Sequence, residues 1–419
     1  MKLFKITHKN VLLYASGQAI SIIGDSAEAI ALSWWVLEKT GSAGDVAKIT
    51  VPGLVLRLFL TPLIAPIADK FSPKRTLLLS NFLKFLVFIA VALLTLTDQF
   101  HWFALMSLYM LASVFGAIFS AAAGGYVPSL VDREEIPEAM QKTSLLQTIG
   151  GISGGMLGAI AVSAVGNFGA MFFNALSFLV SLLLILMIDK PDKLIESKYT
   201  NLSTSYISWR IDLYQGFRFI FKLPGLASSL FVFCAVNFFA SGLNILLPTI
   251  VNSEKIDVKY LGIIESVGMT GQVGALFAIS FLGSAKFSKS ILCAVFLLLT
   301  GTSIFFFSLV HTPLVPALAM FIAMGSCSLF NMMLSAQLMM IIPENYRGRV
   351  GAFMGTMCGA AVPLGFTCAS VFSDKFSPSS AISVSAVGVV SLAVVLFFHS
   401  GFSKLMNCTA DNADKLLDN

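Results

Sequence analysis

Apolar residues along this chain fall in runs of about twenty, separated by short polar connections. Runs of that length suit helices that cross a bilayer, because a spanning segment must satisfy its own backbone hydrogen bonds. The alternating pattern of outer-membrane barrel strands does not occur in the sequence. Twelve spans are expected, at about 11–37, 47–68, 76–97, 101–127, 144–165, 167–188, 226–250, 259–283, 289–310, 313–342, 350–372 and 379–402. The longest polar connection, 189–225, divides six from six. An all-α integral membrane protein is therefore expected, with six-helix bundles over 1–188 and 226–403 and a cytoplasmic tail at 404–419. Within the connection, Trp209 to Lys222 has apolar residues at helical spacing beside basic ones, which suits a helix lying on the cytoplasmic surface.

The two halves look like repeats. Ala68-Asp69-Lys70-Phe71-Ser72-Pro73-Lys74 after span 2 matches Ser284-Ala285-Lys286-Phe287-Ser288-Lys289 after span 8, at an offset of 216. The same offset carries Ser21 to Asn237, Asp25 to Ser241 and Glu28 to Asn244. Parallel six-helix repeats with a site near the midplane are the plan of a secondary transporter.

Composition sharpens this picture. The 419 residues are 57% hydrophobic and 12% charged, with a mean hydropathy of +0.86, which excludes a soluble globule. The net charge of +5 is no nucleic-acid signature, because the basic residues sit in the loops. On the side of the termini, loops and ends hold 20 Lys and Arg; the opposite loops hold 5. Both termini are thus expected in the cytoplasm, in a bacterial inner membrane. Lysines ahead of the first apolar run resemble a signal peptide, but the run is long, contains two acids and lacks a cleavage pattern, so it is expected to be a mature helix. The six cysteines show no paired spacing, and packing is their expected role.

The first span carries the candidate chemistry. Asp25 and Glu28 stand three residues apart in an otherwise apolar stretch, about 4.5 Å apart along a helix and on one face. Charge at that depth marks a functional site by default. Two acids so close cannot both ionise cheaply, so they should titrate as a unit and are the proton-coupling candidates. A structural ion pair with Arg57, ten residues into span 2, and binding of a cationic cargo are the alternatives. Arg57 is either the acids' counter-ion or an anchor for an anionic group. Lys84, eight residues into span 3, is expected to snorkel toward the cytoplasmic surface. Glu265 in span 8 is a possible second acid or a bundle hydrogen-bonding group. Gln18, Ser21 and Trp35 extend the acidic stripe. Asn237, Ser241 and Asn244, with Phe330, Asn331 and Ser335 in span 10, are candidates for a substrate cavity or for helix contacts.

At this point the sequence resembles the major facilitator superfamily. Asp69-Lys70-Phe71-Ser72-Pro73-Lys74-Arg75 is similar to that superfamily's signature after helix 2, with Ala65 and Ser72 where glycines are usual. Glu38-Lys39-Thr40-Gly41-Ser42-Ala43, Val127-Pro128-Ser129-Leu130-Val131 and Pro343-Glu344 through Arg347-Gly348-Arg349 resemble its macrolide-efflux and siderophore-exporter branch, the drug:proton antiporter-3 group. The resemblance implies that Asp69, Lys70, Lys74, Arg75, Arg347 and Arg349 form a cytoplasmic gate. Gly150, Gly151, Gly154, Gly155 and Gly158 resemble the glycine-rich antiporter motif of helix 5, without its proline.

The expected function is proton-coupled efflux of amphiphilic small molecules, such as a macrolide-like drug or a siderophore, by alternating access. A lipid or lysophospholipid flippase and a non-transporting membrane sensor are the alternatives. The sequence holds no HExxH or GxxxxGK[ST], so neither an enzyme nor an ATP-driven pump is expected. The expected partners are the cargo, protons and lipid, with no cofactor, no nucleic acid and a monomeric chain.

Overall fold

The computed structural model describes residues 9–68, 71–132, 134–189, 211, 214–215, 217–221, 225–282, 288–309 and 314–408. Every regular element among them is helical. The long elements are α1 (Lys9–Thr40), α2 (Ala43–Ala68), α3 (Pro73–Leu96), α4 (Trp102–Leu130) and α5 (Ile136–Leu186). There follow α6 (Leu226–Ser241), α7 (Leu243–Ser253), α8 (Val258–Leu282), α9 (Lys289–Phe305), α10 (Leu314–Ile341), α11 (Glu344–Lys375), α12 (Pro378–Phe398) and the short α13 (Ser400–Met406). Among the described residues, nine helices are long and apolar enough to cross a membrane. Most of the surface helix expected at Trp209 to Lys222 lies outside the described residues.

Local chemistry sets the helix ends. Ser72 and Ser377 stand before Pro73 and Pro378, and each serine hydroxyl accepts from a backbone N–H three residues on, at 3.2 and 3.1 Å. A serine cap followed by proline is a strong helix start, since proline gives up an N–H that had no partner there. Gly41 ends α1 at φ +66, a conformation that favours glycine, and its N–H reaches Leu37 O at 2.8 Å. The repeat offset recurs here: Ser72 before α3 corresponds to Ser288 before α9.

The chain divides into two compact units. The first comprises Met1–Gly41, Lys48–Tyr206 and Ile256–Ser266. Its centre is α1, clasped by both arms of α5, which meet at Gly166 (φ 71). A Cβ on Gly150 would lie 2.7 Å from Ala19 O, and one on Gly158 3.0 Å from Ala27 N, so the first arm runs parallel to α1. Gly17 faces Ser181, and Gly24 faces Ser177 and Asn174, so the second arm runs the other way. The 51-residue helix is thus two antiparallel arms folded at Gly166, the position between the predicted 144–165 and 167–188. The glycines let α1 and the first arm approach backbone to backbone, the packing that lipid favours. Asn81 of α3 joins the same core through Ser181 Oγ at 3.1 Å.

The second unit comprises Ser42–Ala47, Ile207–Lys255 and Val267–Asn419. It packs α9 on α10 and α12, and α6 on α11 and α12. Its core holds Leu226, Cys293, Leu297, Phe330, Leu334, Leu396 and Phe402. Gln337, buried at 3%, ties α10 to the end of α13 through Leu405 O (2.9 Å) and Cys408 O (2.8 Å).

Candidate functional site

The acidic stripe on α1 lies against both arms of α5 and against α4 within the first unit, with α3 packed behind them on α4 and α5. Its two acids differ in surroundings. Asp25 is exposed, whereas Glu28 is only 8% exposed. Glu28 accepts a hydrogen bond from the Tyr109 hydroxyl of α4. The Asn174 side chain, in the second arm of α5, lies within interaction range of the Asp25 carboxylate. One turn toward the N-terminus, Gln18 Nε2 and Ser21 Oγ are buried without a hydrogen-bond partner. Buried polar atoms rarely stay without a partner, which sets these two apart from the rest of the stripe.

Two cations complete the cluster. Arg57 is exposed and donates from Nη2 to Ser120 Oγ at 3.0 Å. No carboxylate of the described residues lies within ion-pair distance of it, so the direct Arg57–acid bridge does not form. Its influence on Asp25 is Coulombic only. Lys84 departs from expectation altogether. Its ammonium lies 4.6 Å over the Phe178 ring and 5.6 Å over the Phe119 ring, inside the bundle. From there it is electrostatically coupled to Asp25, Glu28 and Arg57. Both cations lie against Gly116, where a Cβ would stand 3.7 Å from Lys84 Cε and 4.0 Å from Arg57 Cζ, ordinary contact distances. Two ring faces then replace part of the water lost by the ammonium.

Aromatic contacts link these charges. Phe178 stacks on Phe88 (5.5 Å, 26°), and Phe88 meets Tyr109 edge-on (6.0 Å, 85°). Lys84 and Glu28 therefore stand at opposite ends of one side-chain chain.

The remaining candidates lie elsewhere. Trp35 is 3% exposed, edge-on to Phe100 at 5.6 Å, with its Nε1 3.5 Å from Asp98 Oδ1. With Glu38, Lys39, Asp98 and Asn167 it lines a cavity of about 330 Å³ beside the Gly166 turn. Glu265, half-buried on α8 in the first unit, packs on the first arm of α5, its Oε2 3.2 Å from where a Cβ on Gly155 would be. In the second unit, Asn237 Nδ2 bonds Phe233 O (2.8 Å) and Ser241 Oγ bonds Phe238 O (3.0 Å) and Val362 O (3.2 Å). Asn244 and Ser335 are exposed, and Asn331 keeps a buried Oδ1 without a partner. Phe330 is fully buried and packs in the core. Of the gate residues, Lys74 Nζ binds Ile188 O at 2.7 Å, just past the end of α5, where a cation is favoured. Arg75 is exposed, Arg347 and Arg349 stand in the first turns of α11, and Asp69 and Lys70 lie outside the described residues.

Sequence reading missed Tyr109, Lys84 and Asn174 as members of the site. Lys84 carried a usable signal, since it is a charge in mid-span; Tyr109 and Asn174 carried none, because only the fold brings them to α1. It also missed the Cys234–Cys358 thiol pair, 3.4 Å apart between α6 and α11.

The sequence model of the Major Facilitator Superfamily matches residues 14–366. The chain is 21% identical to macrolide efflux protein A of Streptococcus pyogenes, over 91% of this chain and 93% of that protein. It is 23% identical to the multidrug efflux pump Tap of Mycolicibacterium fortuitum, over 90% and 92%. Identity to the enterobactin exporter EntS of Salmonella choleraesuis (strain SC-B67) is 22%, over 80% and 78%. In fold it is similar to the nucleoside transporter NupG, with a TM-score of 0.71 at 14% identity, over 95% of this chain and 98% of that one.

Proposed function

Because this chain belongs to the Major Facilitator Superfamily, we propose that it is a proton-coupled exporter of amphiphilic small molecules, of the macrolide-like or siderophore kind. It works as a twelve-span monomer in a bacterial inner membrane, with both termini cytoplasmic. The relatives are efflux transporters, which supports a secondary transporter with a small-molecule cargo. The observation that carries the proton reading is the cluster on α1: Asp25 exposed, Glu28 bonded to Tyr109, and two cations near but not in contact.

Such a cluster changes net charge when a proton enters or leaves it. A charge change inside a bilayer costs several kcal/mol unless solvation or partners change with it. Proton loading from one side and release to the other therefore favours different openings in turn, which is the differential that alternating access requires. Cargo occupies the deprotonated state, and the returning proton displaces it. The neutral polar groups Asn237, Ser241, Asn244, Asn331 and Ser335 offer adaptable hydrogen bonds to cargo, Glu265 serves as a second acid, and the basic residues after α2 and at the start of α11 close the cytoplasmic side.

The test is accumulation of erythromycin in inside-out vesicles. Collapse of the pH gradient alone should abolish uptake, and collapse of the electrical potential or of a sodium gradient should not. Uptake that follows sodium and ignores the pH gradient overturns the proton reading.

A further inference from the structure

Lys84 is a cation near the middle of α3 with neither a carboxylate within ion-pair distance nor a hydrogen-bond acceptor among the described residues. Its ammonium instead rests between the faces of Phe178 and Phe119. Around it the ionisable groups are Asp25 and Glu28 on α1, Arg57 on α2 and Tyr109 on α4; the second arm of α5 adds only Asn174 and Phe178. Arg57 is fixed by Ser120 and Glu28 by Tyr109. That leaves Lys84 without a hydrogen-bond partner among the described residues, and the exposed Asp25 with only Asn174 in range. A lysine has a long stem and a compact head, so it can change partners without moving its helix. Two ring faces retain an ammonium, yet they hold it more weakly than an ionised carboxylate does.

We propose that Lys84 is the movable counter-charge of the coupling site: it rests on Phe178 and Phe119 while the acid pair holds a proton, and swings into contact with the Asp25 carboxylate when the proton leaves. This rests on the reading of Asp25 and Glu28 as the proton carriers and adds the group that sets when they release it. Lys84 acts through the acids, so it is a positioning residue. Its exchange pairs the negative charge that proton loss creates, which lowers the cost of moving an emptied site through the membrane.

The test needs no cargo. The carboxylic-acid stretch of the purified protein in lipid nanodiscs is followed by infrared difference spectroscopy against pH, and assigned by its loss in Asp25→Asn and Glu28→Gln. Lys84→Met should move the midpoint of that band upward by about one pH unit or more, since a contacting opposite charge favours the ionised acid on that scale. Lys84→Arg should stay near the wild type. Phe178→Leu, which removes the resting place, should move the midpoint the other way. Since methionine is apolar and of similar length, Lys84→Met is compatible with insertion, and Phe178→Leu is an independent second probe. A midpoint unmoved by Lys84→Met and by Phe178→Leu overturns the Lys84 role and leaves the acid pair standing. A wild-type protein without any band sensitive to Asp25→Asn or Glu28→Gln overturns the coupling reading itself, and the Lys84 role with it.

Discussion

The Tyr109 hydroxyl on α4 donates a hydrogen bond to the Glu28 carboxylate on α1, across 81 residues of sequence. It fixes the buried acid and leaves the exposed one, Asp25, to exchange partners. A hydrogen bond to a charged group is worth about 1.5–3 kcal/mol. Tyr109→Phe should therefore lower the thermal midpoint of the detergent-solubilised protein and slow proton-driven transport. Combined with Glu28→Gln the losses should be less than additive, because both changes remove one interaction. A double-mutant cycle on thermal stability measures this.

The packing of α1 on the first arm of α5 leaves no room for a methyl group. A Cβ at Gly158 would press on the Ala27 backbone, at 2.5 Å from Cα and 3.0 Å from N. Gly158→Ala should cost about 1–3 kcal/mol by overpacking. Gly124 has nothing within 4 Å of a Cβ, so Gly124→Ala should be neutral or stabilising by up to about 1 kcal/mol. Unfolding midpoints of the two variants, compared side by side, check the contrast.

In the second unit, Asp374 near the end of α11 caps the start of α2. Its carboxylate accepts from Ser42 Oγ (2.7 Å), Ala43 N (3.0 Å) and Gly44 N (3.0 Å). A carboxylate on the first N–H groups of a helix is a favourable cap. Asp374→Ala should destabilise by about 0.5–2 kcal/mol. Asp374→Asn, which keeps one accepting oxygen, should lose less.

Outside the membrane, Asp98 accepts from Lys39 Nζ at 2.6 Å. That hydrogen bond, ahead of the smaller opposing effect of desolvation, holds the Asp98 carboxyl below the usual carboxylate range. The sign follows from linkage. The contribution is present above the ordinary aspartate value and is lost as pH falls through the lower folded value. Lys39→Met should remove this acid loss, so wild type and variant should converge at low pH and differ by a constant small amount near neutrality. The difference should shrink in high salt, because the pair is solvent-exposed. Thermal midpoints across a pH series record it.

Much of the architecture was legible in the chain. Run lengths placed the helices, and the offset that pairs Ser72 with Ser288 marked corresponding helix starts. Asp25 and Glu28 stood out because charge at that depth needs a reason. What stayed hidden is what depends on direction and distance. The long stem of Lys84 permits a course to the surface or into the bundle; the ring of Phe178 holds it inward. Depth leaves Arg57 open as counter-ion or as anion anchor, and does not show that Ser120 is its hydrogen-bond partner. Cys234 and Cys358 are 124 residues apart in sequence, so no spacing rule pairs them. The motif from Glu38 to Ala43 was recognised without a reason; Gly41 makes its turn, and Asp374 holds its end.

The central claim is that protonation of Asp25 and Glu28 powers movement. Reconstituted in vesicles with an imposed pH gradient, the wild type should drive erythromycin against its concentration gradient and carry protons the opposite way. Asp25→Asn and Glu28→Gln variants, shown to insert and fold, should still exchange erythromycin downhill but should neither concentrate it nor carry protons. Variants that accumulate the drug in response to the pH gradient as the wild type does would contradict the account.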